Sequence, residues 1–73
     1  MKIYVNEQEM NWTASTIDYG AVLAIADQPA GASVIYVGPK HGDAQRSGTL
    51  HATKGAIVVE DGMRFTAVRT NNA

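Results

Sequence analysis

The chain has 73 residues, 45% of them apolar and 18% charged, which fits one folded domain at most. Six basic against seven acidic residues give a net charge of -1, which argues against a nucleic-acid binder and supplies no polybasic membrane anchor. Cysteine is absent, so disulfides, thiol nucleophiles and thiolate metal sites are excluded, and a reducing cytoplasm is the expected compartment.

Lys2 to Asn6 alternates, with Ile3 and Val5 on one side and Lys2, Tyr4 and Asn6 on the other, the pattern of a strand with one wet face. Asn6-Glu7-Gln8-Glu9 reads as a tight turn, with Asn6 able to take the left-handed backbone that hairpins need. Met10 and Trp12 alternate with polar neighbours and complete an N-terminal hairpin. Ser15, Thr16 and Asp18 are helix N-cap candidates, and Ser15 with Asp18 resembles a capping box. Gly20 to Ala26 follows as a helix with Val22, Ile25 and Ala26 on one face. Gly20 is expected to let the helix approach a sheet, Pro29 to end it and Gly31 to turn the chain.

Ser33 to Val37 is a β-branched and aromatic run between glycines, which predicts a buried strand. Gly38 to Gly48 carries three glycines and is expected to be a long polar loop, with Thr49 to His51 pairing briefly. Ala56 to Val59 is a short apolar piece, Glu60-Asp61-Gly62 a turn, and Met63 to Arg69 a final strand. In that strand Phe65 and Ala67 share one face, and Arg64, Thr66 and Val68 the other. The division is thus one domain over 1–69 and a short flexible tail over 70–73.

One helix among strands in so short a chain predicts an α+β layer fold. The best alternating strands are the first and the last, as a β-grasp requires of its central parallel pair. The expectation is a mixed sheet of four to five strands with one helix packed across it.

A domain this small buries only about 60% of its unfolded surface, so little is left for a deep catalytic pocket, and binding or carrier roles are favoured. No apolar run approaches the roughly 20 residues of a membrane span. His41 and His51 lack a spaced ligand partner and read as surface histidines. Gly38-Pro39-Lys40-His41-Gly42 lacks the spacing of a phosphate loop. Ser47, Thr49 and His51 have no evident orienting acid, and no catalytic residue, metal or cofactor is expected. Trp12 reads as core or half-core. Tyr4, Arg64, Thr66 and Val68 share a sheet face and make a candidate docking surface, against the alternative of scattered surface apolars.

Four segments carry a family resemblance: the Met1-Lys2-Ile3-Tyr4-Val5-Asn6 opening, Gly20-Ala21-Val22-Leu23, Val37-Gly38-Pro39, and Ile57-Val58-Val59-Glu60-Asp61-Gly62-Met63-Arg64-Phe65-Thr66-Ala67, the most specific. Along almost the whole chain the sequence resembles the bacterial multiubiquitin-type ubiquitin-like family. The resemblance implies a protein modifier served by an adenylating activating enzyme, a conjugating-enzyme relative and a metallopeptidase that trims or removes it. The activating enzyme would use ATP to adenylate the modifier's C-terminal carboxylate, which then passes to an enzyme nucleophile and on to a target. The modifier itself would hold no cofactor and supply no acid or base.

Ubiquitin and the sulfur carriers end in Gly-Gly, whereas this chain ends Thr70-Asn71-Asn72-Ala73. A sulfur carrier is therefore a weaker expectation. For a modifier, either the pathway accepts this ending or a peptidase trims it to Asn72 or Asn71. A β-grasp interaction module that is never conjugated is the alternative from another class.

Overall fold

The computed structural model describes residues 1–69. The elements are β1 (Lys2–Val5), β2 (Gln8–Asn11), β3 (Thr16–Ile17), α1 (Tyr19–Ala26), β4 (Ser33–His41), β5 (Ala44–Leu50), β6 (Ile57–Val58) and β7 (Met63–Val68). Five strands form one mixed sheet in the order β2-β1-β7-β4-β5, while β3 and β6 make a separate two-stranded ribbon. β1 runs parallel to β7 at the centre, and every other pairing is antiparallel. With α1 laid on the β1, β7 and β4 side, this is a β-grasp.

The centre forms as its alternation dictates. Ile3 and Val5 pair with Met63 and Phe65, and all four point into the core. Val34, Ala67 and Leu50 extend that layer, and Val22 and Leu23 of α1 cover it with Ile17 and Val59. Tyr4, Arg64, Thr66 and Val68 therefore lie on the opposite face, which no element among the described residues covers.

The first turn is a two-residue link in which both Asn6 and Glu7 have positive φ, 49° and 69°. That is a type I′ hairpin, whose twist matches the strands it joins. Asn6 also extends the central ladder with its side chain. Its Oδ1 accepts from Ala67 N–H at 2.8 Å and its Nδ2 donates to Ala67 O at 3.1 Å. Its own backbone N–H donates to Phe65 O at 2.9 Å. At the other end, Gly62 N–H donates to Lys2 O at 2.7 Å, and Lys2 N–H donates to Asp61 Oδ1 at 2.7 Å.

Asp18 caps α1 alone: its Oδ1 accepts from Ala21 N–H at 2.8 Å, so Ser15 closes no capping box there. The helix ends earlier than Pro29, at Asp27, which takes the left-handed conformation with φ 55°. Gly20 faces outward, where an added Cβ would meet only the Asp18 carboxylate at 3.8 Å, so it does not serve close packing on the sheet. Tyr19 ties the helix start to β4 by donating its Oη–H to Ala32 O at 2.6 Å. Trp12 is half-buried against the core and donates Nε1–H to Thr16 O at 3.0 Å.

The largest departure from expectation is the segment from Gly38 to Gly48. It is a long hairpin, not a loop. His41 pairs with Ala44 across the two-residue turn Gly42-Asp43, and only Gly42 there has positive φ, at 66°. Gly-Asp with φ positive at the first position is the type II′ signal. Between Val37↔Ser47 and Lys40↔Gln45, β4 has two residues against one on β5, so Gly38-Pro39 forms a bulge that absorbs the proline. Val37-Gly38-Pro39 thus lies within one strand. Among the described residues no helix is long and apolar enough to cross a membrane.

Replacing Asn6 separates its two contributions. Asn6→Ala loses both side-chain bonds and must hold φ 49°, so a loss of about 2 kcal/mol in urea-unfolding free energy is expected. Asn6→Gly keeps the turn, loses only the bonds, and should cost measurably less.

Candidate functional site

The uncovered sheet face is set by the register. Tyr4 lies beside Arg64, Arg64 beside Val37, Thr66 beside Ile35, and Ile35 beside Thr49. Val68 pairs with Ser33, one diagonal step from Ile35. The Arg64 guanidinium stacks over the Tyr4 ring, 4.4 Å from its centroid. Such an exposed stack contributes about 0.5–1 kcal/mol and holds the long side chain flat. Further along the same face, Ile35 and Val68 remain 47% and 56% exposed, well above what a covered strand residue shows. The face is therefore an aliphatic pair with half-buried Val37, flanked by a stacked arginine and tyrosine and edged by Thr66 and Thr49.

Tyr4, Arg64, Thr66 and Val68 thus stand on one face. Ile35 and Val37 belong with them, although the apolar run Ser33 to Val37 reads as buried. Only Val34 is fully buried there. The missed signal is the phase of Ser33, which shares the Ile35 and Val37 parity and puts that side in water. Residues 70–73, the expected reactive tail, lie outside the described residues.

A second cluster occupies the other face near the hairpin turn. Glu60 Oε1 lies 2.8 Å from His41 Nε2, and Glu60 Oε2 accepts from Arg46 Nη1–H at 2.9 Å. Arg46 Nη1 also donates to Val58 O at 3.0 Å, and its guanidinium sits 5.9 Å from the Tyr36 ring centroid. These bonds tie the crossing segment before β7 to the hairpin. His41, first, and then Arg46 hold the Glu60 carboxyl below the usual glutamate range by hydrogen bonding to its charged form. His51 is exposed beyond β5, and Ser47 and Thr49 are exposed on it. Among the described residues the surface holds no pocket, and no group of three or more His, Cys, Asp or Glu side chains could hold a metal ion.

The depressed Glu60 value fixes a sign. The stabilisation from this carboxylate is complete above the ordinary value of 4.5 and is lost as pH falls through the lower folded value. In a carboxyl NMR titration Glu60 should therefore change protonation below 4.5, and His41→Ala should move the midpoint back up towards it. Compared with known proteins, the chain matches no family model, no curated protein and no solved structure.

Proposed function

We propose that this chain is a ubiquitin-like protein modifier that docks on its enzymes through the open sheet face and reacts at its C-terminal carboxylate. The observation that supports the reading best is the exposed Ile35–Val68 pair on the same face as Arg64 and Tyr4, on a β-grasp whose last strand is central. Val68 ends β7, so the apolar face runs up to the point where residues 70–73 begin. The resemblance to bacterial ubiquitin-like modifiers supplies the chemistry: adenylation of the carboxylate with ATP by an activating enzyme, transfer to an enzyme nucleophile, then to a target, with trimming by a metallopeptidase where the pathway needs it.

The face alone, without conjugation, also fits an interaction module. Its exposed aliphatic and aromatic side chains are what a small protein-binding surface offers.

Incubation with ATP and an adenylating enzyme of a ubiquitin-like pathway separates the two. A modifier forms an adenylate or a covalent adduct visible by mass spectrometry. Removing Asn71 to Ala73 should abolish transfer while leaving binding, whereas a module keeps full binding and never forms an adduct. Ile35→Asp and Val68→Asp should each weaken binding about tenfold or more while leaving the circular dichroism spectrum unchanged. Full binding by both variants would remove the face from the reading.

A further inference from the structure

The sheet has two edges, and they are built differently. β2 is four residues long and pairs its Glu9 with Lys2 at 3.7 Å, so that edge is short and charged. Both features discourage another chain from pairing there. β5 is seven residues, Ala44-Gln45-Arg46-Ser47-Gly48-Thr49-Leu50, with no lysine or proline among them. Its single charge, Arg46, is drawn across to Glu60 on the helix side. The bulge that disturbs this hairpin lies on β4, so β5 itself stays regular. Among the described residues no strand pairs with its outer side.

We propose that β5 pairs antiparallel with β5 of a second copy of this chain, about a two-fold axis at Ser47, to give one continuous sheet across a homodimer. The register follows from side-chain chemistry. Opposed residues in such a pair point to the same face, so each β5 position must meet one of its own parity. Placing Arg46 on the axis would set two guanidinium groups opposite each other. Placing Ser47 there sets Arg46 opposite Gly48, the position whose missing side chain leaves room for the Tyr36 ring. On the open face Gln45 then meets Thr49, and Ser47 meets Ser47, pairs that can hydrogen bond across the strands. One step further out, Asp43 of each turn faces His51 of the other copy, an acid against a base on both sides of the axis. Asp43 and His51 are both exposed in the single chain. A second copy is the occupant because this pattern complements itself under two-fold rotation, which is what an isologous interface requires. The inference uses the edge and not the open face, so it stands apart from the modifier reading.

Sedimentation equilibrium on the full chain should show a monomer–dimer equilibrium. Ser47→Lys, which puts like charges on the axis, should weaken it about fivefold without changing the thermal midpoint of the monomer. Asp43→Lys should weaken it, and the double change Asp43→Lys with His51→Glu should restore it. The chain has no cysteine, so a single Ser47→Cys reports cleanly. Opposed Cβ atoms lie about 5 Å apart, close to disulfide reach, so this variant should oxidise to a linked dimer much faster than Thr66→Cys on the open face. A chain that stays monomeric at millimolar concentration, with both cysteine variants linking equally slowly, overturns the proposal. So does faster linking through Thr66→Cys, which would place self-association on the face, or an extended peptide that pairs with β5 of a chain that stays monomeric.

Discussion

The parallel contact between β1 and β7 is the constraint on which the rest of the structure hangs. It joins the first strand to the last, so almost the whole chain must be closed into a loop before its bonds form. That cost is met by burial. Ile3, Val5, Met63 and Phe65 are almost wholly inaccessible, each contributing about 1.5–3 kcal/mol. The register admits no slack, because a shift of one residue would send all four side chains to the wet face and bring Tyr4 and Arg64 into the core. Both ends of the pair are pinned: Asn6 bridges to Ala67 at one end, and Gly62 and Asp61 hold Lys2 at the other. The parity that fixes the core fixes the open face as well, so fold and candidate site follow from one alternation.

What was legible in the residues divides along the same line. β1 and β7 alternate cleanly, and an Asn-led turn follows β1, so the central pair, its inward residues and the four face residues Tyr4, Arg64, Thr66 and Val68 could be read directly. The β4–β5 hairpin could not, because its composition speaks for a loop. Gly38, Pro39, Gly42 and Gly48 each break a strand in isolation. In three dimensions each has a local remedy. The bulge removes the need for a Pro39 N–H in the ladder, Gly42 makes the turn, and the Tyr36 ring covers Gly48 so closely that a Cβ there would stand 2.7 Å from Tyr36 Oη. The Gly42-Asp43 pair is a hairpin-turn signal in the sequence, but the glycines around it mask it. Ile35 is hidden for a related reason: an apolar run carries no phase until a single helix is known to cover only one side.

The Glu60 cluster explains how so short a domain keeps its crossing segment in place. From His51 to Glu60 the chain has only the two-residue β6 in regular structure, and β6 pairs only with β3. Further contacts tie this segment down: Val59 in the core, Val59 N–H donating to Ser15 O at 2.9 Å, Arg46 Nη1–H donating to Val58 O at 3.0 Å, and Glu60 bridged to His41 and Arg46. The first is hydrophobic and unconditional. The last is electrostatic, exposed and weak in energy, but directional, and it fixes the segment against the hairpin at the point where the chain turns into β7.

The size of the described domain limits how much of its sheet it can cover. One eight-residue helix covers one side of a five-stranded sheet, and nothing among the described residues remains to cover the other. Evolution can make such a face wholly polar at no cost to the core, since its residues contribute nothing to burial inside the domain. Here it is not wholly polar: Ile35 and Val68 stand exposed on adjacent strands of the face that also carries Arg64, which stacks on Tyr4 and forms no ion pair among the described residues. Exposed aliphatic side chains on a strand are an aggregation risk to a free protein, and their contribution is realised only when another surface removes them from water. Under the proposed function, that surface belongs to another protein. On the proposed reading, the chain supplies its sheet face for recognition and its partner enzymes carry out the covalent steps.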